Sequence, residues 1–167
     1  MSKRGKTIKY VSLTAFVFLM FVLQGMIFPH LEIYGIKPLI LPAAVVAIAI
    51  HEGCENGTLF GLIGGVFCDL TFNQPTVAFT VLLTAIGTVV GILSEGFLRK
   101  NYITFLVCSF GALLLSAAVQ MFSLLVYKHM AFVSLAETAL LQTVYSLILA
   151  LPVYYLAGVI CRVNGKN

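Results

Sequence analysis

Six long apolar stretches fill most of this 167-residue chain, and connections as short as RKN and KHMA separate them. That pattern constrains the fold more than any motif does. A bilayer core about 30 Å thick takes roughly 20 apolar residues per crossing helix, so six crossings consume about 120 residues. Little remains for an extramembrane domain. Composition agrees, with 60% hydrophobic and 10% charged residues and a mean hydropathy of +1.05. Soluble domains run near about 45–50% and about 25%. The expectation is an all-α, polytopic membrane bundle of about six transmembrane helices, forming a single integral membrane domain over residues 1–167.

The predicted spans are 10–28, 36–50, 57–70, 77–98, 102–127 and 132–161. The first follows the basic head MSKRGKTIK; it is too long for a signal peptide and lacks a small-x-small cleavage site, so it reads as an uncleaved helix. The second carries Pro38 and Pro42 in its first turns, where proline is tolerated because those amides lack intrahelical partners. The third is short and glycine-rich. Short spans broken by Gly or Pro belong inside a protein bundle or form a re-entrant pair, because the loosened backbone needs protein partners. The sixth is long for one crossing, so 132–138 is expected at the interface and Pro152 is expected to bend the helix.

The charges give the bundle a direction. An even number of spans puts both termini on one side, together with the loops near 51–56 and 99–101. That side holds eight of the ten Lys and Arg: Lys3, Arg4, Lys6, Lys9, Arg99, Lys100, Arg162 and Lys166. The other side keeps Lys37 and Lys128. Such an excess marks the cytoplasmic side, and the net charge of +4 reads as a topology and anionic-lipid signal. Nucleic-acid binding is excluded, since the basic head has no interleaved aromatic patch.

The segment GTLFGLIGGVFCDL is the most distinctive in the chain. At about 100° per residue, Gly57, Gly61, Gly64, Gly65 and Cys68 fall on one helix face. Small residues at this spacing let helix backbones approach closely, either within this bundle or against a second membrane protein. The fourth span repeats the pattern with Thr84, Gly87, Gly91 and Glu95, so the two glycine faces are candidates to pack on each other. Asp69 follows the stripe, either as a functional ionisable group in a membrane segment or as a cap for the TFNQPT turn. Glu95 stands four residues before Arg99, a spacing for an interfacial ion pair; Glu137 is a functional candidate if it sits within the sixth span, whereas near the start of that span it is expected to reach Lys128 or water.

Other candidates are weaker. His51, Glu52 and Glu55 miss the HExxH zinc spacing, because Glu55 occupies the place of its second histidine. Cys54, Cys68, Cys108 and Cys161 form no CxxC pair and read as small buried hydrophobes. Gln24, Gln120, Thr138, Gln142 and Tyr145 are candidates for an internal polar seam, either as interhelical glue, since amides in a bilayer seek partners across helices, or as the lining of a small-molecule cavity. No metal, cofactor or catalytic set is predicted.

The block from Lys37 to Arg99 resembles the bacterial rod shape-determining protein family MreD. The resemblance rests on a proline-led apolar helix, KPLILPAAVVAIAI, a short turn, HEGCENG, and the glycine-spaced GTLFGLIGGVFCDL ending in an acidic residue. A polar turn and a further glycine-bearing helix follow, TFNQPTVAFTVLLTAIGTVVGIL. The resemblance implies a non-enzymatic scaffold in the bacterial inner membrane, serving cell elongation and peptidoglycan synthesis. Its implied partners are a membrane-anchored MreC-like protein, the actin-like MreB and a polymerase–transpeptidase pair, with membrane lipid around it. The family is also similar in fold to the substrate-binding components of energy-coupling-factor vitamin transporters. A transporter component is therefore the rival reading, and it would need a polar, aromatic-lined cavity near the outer face. An intramembrane enzyme would need paired catalytic groups at one depth, and none is found. The candidate packing or partner interface comprises Gly57, Gly61, Gly64, Gly65, Asp69, Gly87 and Gly91.

Overall fold

The computed structural model describes residues 3–27, 38–72, 77–96, 101–128 and 132–165, with side chains for 9–26, 38–70, 77–96, 101–121 and 139–161. The described residues form six α-helices: α1 Lys3–Val22, α2 Leu41–Glu52, α3 Cys54–Phe72, α4 Ala78–Gly96, α5 Tyr102–Lys128 and α6 Phe132–Gly165. A π-helical turn, Leu23–Ile27, ends α1. Among the described residues α1, α4, α5 and α6 are long and apolar enough to cross a bilayer. The chain is thus a helical membrane bundle.

Helices α2 and α3 depart from the expected spans. Residues 38–40 are not helical, and α2 begins at Leu41 with Pro42 in its first turn. Its 12 residues reach about 18 Å at 1.5 Å per residue, well short of a bilayer core. Pro38 precedes the helix instead of joining it. Helix α3 begins earlier than expected, at Cys54, and the polar residues of CENGT dilute its first turns. Helix α6 continues through Pro152 as one element of 34 residues; the expected interfacial placement of 132–138 lies outside the described side chains.

The core is built around α2. Every residue from Leu41 to Ile50 is buried, which is what an all-apolar helix with no polar face requires. The surrounding helices each bury one stripe. On α1 the stripe is Leu13, Phe16, Val17 and Met20, continued by Gln24 of the π turn; on α4 it is Phe79, Leu83, Ile86, Gly87, Val90 and Gly91. Their opposite faces expose Phe18, Leu19, Val81, Val89 and Ile92, as lipid-facing surfaces do. Phe67 of α3 stacks on Phe21 of α1 with ring centroids 4.6 Å apart, and Phe18 meets Phe67 edge-on at 6.2 Å.

Starting a helix inside the bundle exposes amides that no water reaches, each costing several kcal/mol if unpaired. Side chains from two other elements satisfy them. Gln24 Oε1 accepts from the Ile40 and Leu41 amides at 3.0 Å each, and Ser146 Oγ of α6 accepts from the Leu39 amide at 2.9 Å. The π turn supplies Gln24, and local π geometry of this kind often re-aims one side chain.

The other end of α2 gathers helix termini. Lys9 near the start of α1 forms an ion pair with Glu52, and Tyr102 at the start of α5 lies 4.7 Å from Tyr154 near the end of α6. The early turns of α1 and the late turns of α6 therefore sit at the same end of the bundle.

Candidate functional site

A single residue, Gly53, turns the chain from α2 into α3. Its φ of 86° lies in the left-handed region that glycine accepts without strain, and its amide donates to the Ala49 carbonyl at 3.0 Å. The tight corner lays α3 back along α2 and brings its glycines against α4.

There the backbones touch. A Cβ on Gly61 would stand 2.5 Å from the Leu83 carbonyl oxygen, and one on Gly57 would stand 2.6 Å from that of Gly87. Gly65 meets the Thr80 backbone. From the facing helix, Gly87 meets the Gly57 backbone, and a Cβ on Gly91 would lie 2.5 Å from Cys54 Cα. Each obstacle is main chain, so no rotamer change relieves it. Gly64 points elsewhere, toward Val45 and Leu41 of α2. The expected single glycine face is thus divided between two neighbours, because a face about 100° wide is broad enough to meet both helices. Cys68, at the end of that face, is fully buried.

A carboxylate closes each end of the α3–α4 seam. Asp69, near the end of α3, accepts from the Phe79 amide at 3.1 Å, the Thr80 amide at 2.9 Å and the Thr80 hydroxyl at 2.6 Å. These are first-turn amides of α4, so Asp69 caps a helix other than its own. At the opposite end Glu95 of α4 accepts from the Cys54 amide, the first of α3, at 2.8 Å. Each helix therefore supplies an anion to the positive end of the other. About one turn of α3 in from the Cys54 end, the hydroxyls of Thr58 and Thr88 are hydrogen-bonded at 2.9 Å.

The geometry favours the capping reading of Asp69 over a free ionisable group. The Glu95–Arg99 and Glu137–Lys128 pairs lie outside the described side chains. Of the expected polar seam, Gln24 and Gln142 are buried, Gln120 and Tyr145 are half-buried and Thr138 lies outside the described side chains; Thr143 and Ser146, outside that set, are buried as well. Ser146 was not anticipated. A serine within a membrane helix usually bonds its own preceding turn, so nothing local reveals a partner 107 residues away.

A second polar locus was also missed. At the Lys9 end, His51, Glu52, Tyr102, Tyr154, Tyr155 and Cys161 surround a pocket of about 330 Å³. The His51 ring meets Tyr154 perpendicularly at 4.9 Å. Glu52 holds Lys9 and also accepts from Asn56 Nδ2 at 3.2 Å. Among the described residues no group of three His, Cys, Asp or Glu is arranged to hold a metal.

Comparison with family models, curated proteins and solved structures yields no match.

Proposed function

We propose that this chain is a non-enzymatic scaffold subunit of the bacterial cell-elongation machinery, holding an MreC-like partner within the inner membrane. The observation that carries the reading is the unit formed by α2, α3 and α4. This unit spans the segment whose motifs resemble MreD, and the glycines of its α3–α4 seam are taken up by internal close packing. Asp69 and Glu95 each cap backbone amides of the facing helix, which suits a rigid platform better than a turnover site. The outward ridge of α3, formed by Leu59, Leu62, Val66 and Leu70, is exposed, as are Val77 and Val81 at the start of α4. That ridge is the proposed docking face, with MreB-like and peptidoglycan-synthesising proteins joining through the partner. In this reading the six helices form a bundle similar in fold to energy-coupling-factor substrate-binding components, with α2 sheltered by its neighbours.

Both termini are proposed to be cytoplasmic, from the eight-to-two division of Lys and Arg. Reporter fusions after Asn73 and Asn101 are then expected in opposite compartments; equal signals would refute the six-span topology. Leu62→Trp and Val66→Trp are expected to abolish co-purification with an MreC-like partner while membrane levels stay unchanged. If purified protein instead holds a vitamin-sized ligand at nanomolar affinity, and no protein partner, the transporter reading replaces this one.

A further inference from the structure

We draw no further inference here: the strongest candidate, the cavity of about 330 Å³ where the end of α2 meets α5 and α6, carries none, because the carboxylate in its wall, Glu52, is already held by Lys9 and Asn56 and nothing in the structure shows what would fill it.

Discussion

Helix α4 faces two neighbours in opposite ways. Toward α3 it brings main chain onto main chain, with Gly87 and Gly91 against Gly57 and Cys54. Toward α5 it borders a groove of about 290 Å³ lined by Ala85, Ile86, Cys108, Gly111 and Ala112 among others. A Cβ added at Gly111 would meet nothing within 4 Å. The same residue type is therefore indispensable on one side and replaceable on the other. Glycine in a membrane helix is informative only together with what opposes it.

The largest effect is expected where the seam is tightest. Gly61→Leu must push α3 off the Leu83 carbonyl, and overpacking against main chain should destabilise the fold by about 3 kcal/mol or more. Leu62, one position on, is 49% exposed, and Leu62→Ala should change stability by less than about 0.5 kcal/mol. Unfolding of the reconstituted protein by titration with SDS measures both. If Gly61→Leu unfolds like wild type while Leu62→Ala does not, the seam is assigned to the wrong face.

The two capping carboxylates sharpen the comparison within the seam itself. Asp69 is half-buried and accepts three hydrogen bonds among the described residues, whereas Glu95 is exposed and accepts one there. Water replaces Glu95 readily but reaches the first turn of α4 less easily. Asp69→Ala is expected to cost about 2 kcal/mol and Glu95→Ala about 0.5 kcal/mol. Equal losses in the same SDS titration would mean that solvent access does not set their contributions.

The sequence made the seam visible because small residues at helical spacing have few other uses in a membrane helix. Lipid tails already match leucine, so a glycine stripe signals a backbone neighbour. The roles of Asp69 and Glu95 were less visible because their partners are backbone amides on another helix. Every non-proline residue carries such an amide, so pattern alone cannot name the recipient. Gln24 stood out as a buried amide, but its task depends on a π turn and on α2 beginning inside the bundle. The start of α2 was misplaced because Pro38 and Pro42 both suit a first helical turn. The pocket around Tyr154 went unnoticed for a different reason. Its residues lie far apart in the chain and meet only once α2, α5 and α6 have packed.

The smallest expected effect reverses the sign of the largest. Gly111 lies within α5 with open space beside it. Alanine there should add helix propensity and restrict the unfolded chain, stabilising by up to about 1 kcal/mol. Gly87→Ala, chemically the same substitution, places its methyl group against the Gly57 carbonyl and should destabilise. Opposite signs from one substitution, 24 residues apart, would establish that the two sides of α4 are packed on different principles. A destabilising Gly111→Ala would mean that α4 and α5 close tightly in the bilayer and that the groove is not an open surface. A stabilising Gly111→Ala that also loses a protein partner would move the docking face from the α3 ridge to this groove, since only an occupant approaching α5 closely would register one added methyl group.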